Sequence, residues 1–421
     1  MDKLVIKGKK ELKGTINISG AKNAALPMLS ATILCGGEFL LKNFPRLRDI
    51  TTFIRLLEGL GATVKKGEEQ CIVDTTHLKE HEAPYDLVRT MRASVLVLGP
   101  LVARAGKARI SLPGGCAIGE RPINLHLQGL GLMGAKTTLK DGYVHVSAKR
   151  LKGANIYFDI QSVTATENLM MAASLAKGTT RLKNAAKEPE VVSLGEMLKL
   201  MGARIKGLGT SCIEIEGVKE LQSVDCSVIP DRIEAGTYMM AVGAAGGKTL
   251  IKGVCPLHLE APILKLRQMG LLIELNGDEI LVQRKKRLSS VDVTTQPYPG
   301  FPTDLQAQIM TLMAISSETG LVTETIFENR FMHVAELRRM GADIKIKGQS
   351  ATVTGVRELT GAPVMATDLR ASASLVLAGL AAKGTTEVHR IYHLDRGYEA
   401  MEKKLEAVGA RIKRVHSESP Y

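Results

Sequence analysis

Tryptophan is absent from this 421-residue chain, and its aromatics are limited to seven phenylalanines and eight tyrosines. Proteins that read single-stranded nucleic acid stack bases on aromatic side chains set beside basic ones. No such cluster occurs, so nucleic acid is not an expected partner, and the net charge of +13 points to small anionic substrates. Long hydrophobic runs are missing too. The longest, Ala93 to Ala103, covers about half of a bilayer crossing and contains Gly99 and Pro100, so no membrane association is expected. The cysteines, at 35, 71, 116, 212, 226 and 255, form no Cys-x-x-Cys pair, and no His-x-Cys or His-Glu-x-x-His pattern accompanies them. That argues for reduced thiols, a cytoplasmic location and no metal site. The opening Met1-Asp2-Lys3-Leu4-Val5-Ile6 lacks the apolar core of a signal peptide and reads as a strand. The densest basic run, Arg284-Lys285-Lys286-Arg287, reads as a solvated strand end.

What is present is a globular composition, 45% hydrophobic and 24% charged, at a length that suits two or three domains. It is also periodic. A helix-like segment ends in an apolar residue, Gly, then Ala or Leu, and an alternating strand pattern follows. The glycines are Gly61, Gly134, Gly202, Gly270, Gly341 and Gly409, at intervals of 73, 68, 68, 71 and 68. Leu194, Met197, Leu198 and Met201 have the spacing of a buried helical stripe, and Gly202 sits where a left-handed cap is wanted. Ile344 and Ile346 then alternate with charged residues, as a half-buried strand does. Units also carry a helix rich in Ala and Met, such as Ser162 to Ala176, Ala235 to Ala245 and Thr303 to Ala314, whose small residues allow close packing. The class is therefore α/β or α+β, with three units able to close around buried helices.

The last unit is short of strands after Gly409, and the N-terminus supplies what it lacks. Leu4-Val5-Ile6-Lys7-Gly8 resembles Ile213-Glu214-Ile215-Glu216-Gly217. One domain is expected over 22–229, and a second over 1–21 plus 230–421, with the chain crossing near Gly20 and Pro230 and a cleft between the two that closes about a hinge.

Several segments could carry chemistry. Pro113-Gly114-Gly115-Cys116-Ala117-Ile118-Gly119-Glu120-Arg121-Pro122 is a glycine-flanked loop in which Arg121 would lower the Cys116 thiol pKa, making it a candidate acid or nucleophile. Ser19-Gly20-Ala21-Lys22-Asn23 puts a lysine at a helix start, a natural phosphate site. Arg92, Arg232 and Arg370 stand at matching points of other units, with Arg396 further along its own, and convergent arginines suit phosphate and carboxylate. Salt bridges to Asp231 and Asp368 are the alternative use of those arginines. At the equivalent point Asp304 is an acid, either a general base or the N-cap of its helix.

Taken together, Ser19 to Ala25, the Cys116 loop, Ser162-Val163-Thr164-Ala165-Thr166-Glu167-Asn168, Phe301-Pro302-Thr303-Asp304 and Phe327-Glu328-Asn329-Arg330-Phe331 closely resemble the UDP-N-acetylglucosamine 1-carboxyvinyltransferases, a family of enolpyruvyl transferases. The resemblance implies a two-domain inverted (inside-out) α/β barrel of six βαβαββ-like units, three per domain. It implies transfer of the enolpyruvyl group of phosphoenolpyruvate to the 3'-hydroxyl of UDP-N-acetylglucosamine, without a cofactor, as the first committed step of peptidoglycan synthesis. By the same resemblance Lys22, Asn23, Arg92, Arg121, Arg370 and Arg396 would hold phosphoenolpyruvate. Asn23, Arg92, Arg121, Pro122, Ile123, Asn124, Leu125, Ser162, Val163, Asp304 and Ile326 would contact the nucleotide sugar. Asp304 would take the hydroxyl proton and Cys116 would help protonate the methylene carbon, with Lys22 and Arg396 also in catalytic positions, and fosfomycin would alkylate Cys116. Three residues depart from the family pattern: Glu120 replaces a usual alanine, Asn124 an aspartate and Thr164 a glycine. The alternatives are a relative acting on shikimate 3-phosphate and a catalytically silent binding protein on the same scaffold.

Overall fold

A computed structural model of the chain describes residues 2–88, 91–111 and 123–416, without the side chain of Arg92. The repeat marker marks what its chemistry demands. Helices Arg48–Gly59, Asn124–Leu132, Pro189–Leu200, Glu260–Gln268, His333–Arg339 and Met401–Ala407 each stop just before one of the six spaced glycines. Those glycines have φ between +91° and +105°, which a side chain would strain. After Pro189–Leu200 the Gly202 amide donates to the Lys199 carbonyl (3.0 Å) and the Ala203 amide to that of Leu198 (2.9 Å), and the same pair of bonds recurs at the other five stops. This double bond satisfies carbonyls that a helix end leaves bare, and it turns the chain back toward a strand.

Strands follow in four-stranded sheets, six in all among the described residues. Each sheet has two antiparallel pairs and, at one edge, a parallel pair. Alternation sets which face is buried: Cys212–Glu216 buries Ile213 and Ile215 and turns Cys212 and Glu216 to solvent.

The chain divides into two compact units, one made of residues 2–19 and 230–416, the other of the described residues between 20 and 229. Each has its own hydrophobic core and three of the sheets. In the first, helices Arg232–Ala245, Gln306–Ala314 and Leu369–Ala381 pack on one another and are buried along nearly their whole length. Close packing needs their small residues, since a methyl group on Gly236 would come within 2.5 Å of Leu305 Cδ1. In the second, Lys22–Ala31 and Leu98–Ala105 both pack on Val163–Ser174. Helices inside and sheets outside make each unit an inverted α/β barrel. Asp2–Lys7 lies antiparallel between Thr385–His389 and Arg411–His416, the place that Cys212–Glu216 holds in its own sheet, and Leu12–Asn17 runs parallel to Gly247–Lys252.

The basic run at 284–287 is not simply a solvated strand end. Arg284 is half-buried and its Nη1 donates to the carbonyls of Gly243 (2.7 Å) and Ala244 (3.1 Å), closing the C-terminus of Arg232–Ala245, where a cation is favoured. Only Lys285 and Lys286 stand clear in solvent, while the exposed Arg287 donates to the Ser316 and Val356 carbonyls. No helix of the described residues is long and apolar enough to cross a membrane.

The six stops are testable one at a time. At Gly202 no atom lies within 4 Å of an added methyl group, so Gly202→Ala probes backbone conformation alone. The substitution is expected to cost about 1 kcal/mol, read as a lower urea midpoint at unchanged activity.

Candidate active site

In the unit of residues 230–416, the short 3-10 turn Thr303–Leu305 leads into helix Gln306–Ala314 and carries Asp304 at its centre. Pro302 holds the N-cap position and Asp304 is not the cap. Its carboxylate is taken by two arginines from elsewhere in the unit. Arg330 Nη2 approaches Oδ1 at 2.9 Å, and Arg370 reaches Oδ2 through Nε at 3.1 Å and Nη2 at 3.0 Å. Both guanidinium groups are buried, at 5% and 3% exposure, while a quarter of the Asp304 side chain remains open at 26%. Burial alone would push the Arg370 pKa down, but the negative charge of Asp304, with smaller help from Tyr398 and Asp231, holds it above the ordinary arginine value. The guanidinium also lies over the Tyr398 ring, 5.3 Å from its centre. Nη1 of Arg370 makes no hydrogen bond within the described protein, which leaves a buried charged donor for an anion.

Local folding explains this placement. Arg370 opens helix Leu369–Ala381, whose N-cap Asp368 accepts from the amides of Arg370 (2.8 Å) and Ala371 (3.0 Å). Asp231 does the same for Ile233 (2.8 Å) and Glu234 (3.0 Å). Both aspartates cap their helices and fix the helix starts. Arg232 follows its cap and lies 5.7 Å from the centre of the Tyr298 ring. Arg396 ends the 3-10 turn Ile391–Arg396, and Gly397 beside it meets Leu369 so closely that a methyl group there would fall 2.6 Å from Leu369 Cδ1. That contact seats the Arg396 turn against the helix that carries Arg370 in its first turn.

In the unit of residues 20–229, Lys22 begins helix Lys22–Ala31 behind Ala21, which offers no side-chain cap. Lys22 is buried, with Nζ 3.4 Å from Asp49 Oδ2, and Asn23 beside it is half-buried. Ser162 caps helix Val163–Ser174 by accepting from the Ala165 amide at 3.3 Å. Helix Asn124–Leu132 packs on it, with Gly129 so close to Leu169 that a methyl group there would clash with its side chain. Thr164 bonds across this junction to His126 Nε2 at 3.4 Å, a contact that a glycine would forgo. Asn168 donates from Nδ2 to the Val95 carbonyl (2.7 Å) and accepts from the Gly99 amide (2.6 Å), fixing the 3-10 turn Arg92–Val97.

Of the residues singled out from sequence, Asp304 and Arg370 touch, and Ile326 lies in the loop just before Arg330. Cys116, Glu120, Arg121, Pro122 and the Arg92 side chain lie outside the described residues. Arg330, Asp49 and Asn168 were given no role by the sequence reading. Arg330 and Asn168 sat inside quoted motifs, but nothing in their spacing told which partner each would take. Among the described residues no group of His, Cys, Asp and Glu could hold a metal ion.

Known proteins match this arrangement along its length. A model of the EPSP synthase (3-phosphoshikimate 1-carboxyvinyltransferase) family covers residues 6–405. The chain belongs to the enolpyruvyl, or 1-carboxyvinyl, transferases. The UDP-N-acetylglucosamine 1-carboxyvinyltransferase of Geobacter metallireducens is 58% identical over 415 residues, 99% of this chain and 100% of that one. Its counterpart from Lawsonia intracellularis is 59% identical over 417 residues, again 99% and 100%. Among solved structures, the enolpyruvyl transferase NikO from Streptomyces tendae aligns with a TM-score of 0.89 at 27% identity, over 98% of both chains. An EPSP synthase from Acinetobacter baumannii aligns at 0.76 with 17% identity, over 99% of this chain and 100% of that one, a likeness of fold alone.

The His126 contact gives a pH dependence. Burial lowers this imidazole to about 4 from an ordinary 6.5, so the unfolded chain takes the proton first as pH falls. The stability contributed by the neutral ring is whole above about pH 6.5 and lost on the way down to about 4, on the order of 3 kcal/mol in all. Urea denaturation at pH 7 and at pH 4.5 is expected to show a smaller loss in His126→Gln than in the natural chain.

Proposed function

We propose that this chain transfers the enolpyruvyl group of phosphoenolpyruvate to the 3'-hydroxyl of UDP-N-acetylglucosamine, releasing phosphate, as the first committed step of peptidoglycan synthesis. The observation that carries the chemistry is the Asp304 carboxylate, part open to solvent, gripped by two buried arginines of which one keeps a spare donor. Relatives bearing that activity in their names, more than half identical from end to end, support the choice of acceptor.

In this reading the phosphate and carboxylate of phosphoenolpyruvate fall to Lys22, Arg92, Arg121, Arg370 and Arg396, with Asn23 beside Lys22. Fixed cations in a site closed from water stabilise charge as it develops, without reorganising during the reaction. Asp304 accepts the proton of the 3'-hydroxyl as that oxygen bonds to C2 of phosphoenolpyruvate, and Cys116 delivers a proton to the methylene carbon. The product of this addition is a tetrahedral ketal. Loss of a proton from the new methyl group and expulsion of phosphate then restore the double bond on the sugar. Ile123, Asn124, Leu125, Pro122, Ser162, Val163 and Ile326 belong to nucleotide-sugar recognition. Thr164 braces the two helices that carry most of them, through its bond to His126.

Phosphate release, measured with phosphoenolpyruvate and each acceptor in turn, tests the proposal. UDP-N-acetylglucosamine is expected to support turnover, and activity with shikimate 3-phosphate alone overturns it. Asp304→Asn is expected to lower kcat by about 10²- to 10⁴-fold, the usual worth of a general base. For Cys116, activity retained by Cys116→Asp and lost by Cys116→Ala supports proton transfer, and full activity in both variants rules that role out.

A further inference from the structure

Glu324 is a buried carboxylate, 1% exposed, to which the reaction as described gives no task. Neutral donors surround it. Oε2 accepts from Thr303 Oγ1 at 2.8 Å, and Oε1 accepts from Thr295 Oγ1 at 2.9 Å, the Ile326 amide at 2.8 Å and the Phe327 amide at 3.1 Å. A carboxylate is the side chain suited to this place because it only accepts, through two oxygens with about four lone-pair sites. Burying that charge is costly, and packing alone gives no reason to bear the cost.

The bonds run in two directions from this one group. On one side Thr303 Oγ1 in turn accepts from Arg330 Nη1 at 3.0 Å, and the other nitrogen of the same guanidinium holds Asp304 Oδ1 at 2.9 Å. On the other side the backbone of Ile326 is fixed directly. We infer that Glu324 is a positioning residue that ties the proton acceptor, Asp304, to the nucleotide-sugar contact at Ile326, so that the bound acceptor's hydroxyl and the base that takes its proton are held in one register. The inference rests on the function proposed above. Charge-assisted hydrogen bonds of this kind are stronger and more directional than neutral ones, and a reacting geometry displaced by about 1 Å loses on the order of 10²-fold in rate.

Two substitutions cut the network differently. Thr303→Val removes the link toward Arg330 and leaves the amides of Ile326 and Phe327 bonded to Glu324. Its kcat is expected to fall about tenfold, with KM for UDP-N-acetylglucosamine within about twofold of the natural chain. Glu324→Gln keeps the shape but loses an acceptor on one side, so kcat falls and KM for the nucleotide sugar rises about fivefold, while KM for phosphoenolpyruvate stays within about twofold. Thermal melts of the full chain run alongside. A variant with natural kcat, or one whose parameters for both substrates worsen in step with its folded fraction, overturns the inference. If Glu324→Gln does not fold, Thr303→Val decides alone. A natural chain that is inactive with UDP-N-acetylglucosamine overturns the functional reading and this inference with it. An active natural chain with unaffected variants overturns this inference only.

Discussion

Everything in this molecule depends on finishing its sheet edges. A buried helix needs a full four-stranded sheet over it, and three of the six sheets among the described residues are not completed by consecutive chain but take one strand from far away in the sequence. The edge is completed by exchange: Asp225–Ser227 runs along Glu38–Lys42 in one unit, and Leu12–Asn17 runs along Gly247–Lys252 in the other. Because each of these pairings joins the beginning of a unit to distant chain, three repeats close into a ring with their helices in the middle. The helix starts are thereby gathered in each ring, and the helix starts carry Lys22, Arg232 and Arg370.

Against that apolar background the charged cluster of Asp304, Arg330 and Arg370, with Glu324 behind it, stands out. Buried ion pairs seldom stabilise a fold relative to apolar residues of equal size, since desolvation offsets the attraction. Their retention makes sense when the charges meet a substrate. Arg370 has both features: it is nearly closed off from water, and one of its nitrogens has no hydrogen-bond partner among the described residues. The caps serve the same end, since Asp368 fixes the first turn of the helix that begins beside Arg370.

The sequence made legible whatever is encoded locally. The six glycines were readable because a positive φ after a helix admits few other residues, and the two-residue alternation of Ile213 and Ile215 was readable because a strand has only two faces. The shortage of strands after Gly409 pointed to the N-terminus, and Asp2–Lys7 does fill that sheet. Partnerships over long separations left no such trace. Nothing in the run at 284–287 told that Arg284 would turn inward to helix carbonyls, and nothing at Arg330 told that it would share Asp304 with Arg370. The site residues were legible as a combination of motifs, and only the fold assigns Asp231 and Asp368 to capping.

The placement of Asp2–Lys7 has a consequence for the order in which the molecule is made. A ribosome releases the chain from its N-terminus, and domains generally fold as they emerge. The strands of the 20–229 unit are all in hand once Ser227 is out, whereas Asp2–Lys7 has to wait until Arg411–His416 has been synthesised. A strand made before all of the 20–229 unit is thus paired only after that unit is complete. Until then it is an unpaired, half-apolar segment, and its charged residues, Asp2, Lys3 and Lys7, help keep it from pairing with another chain.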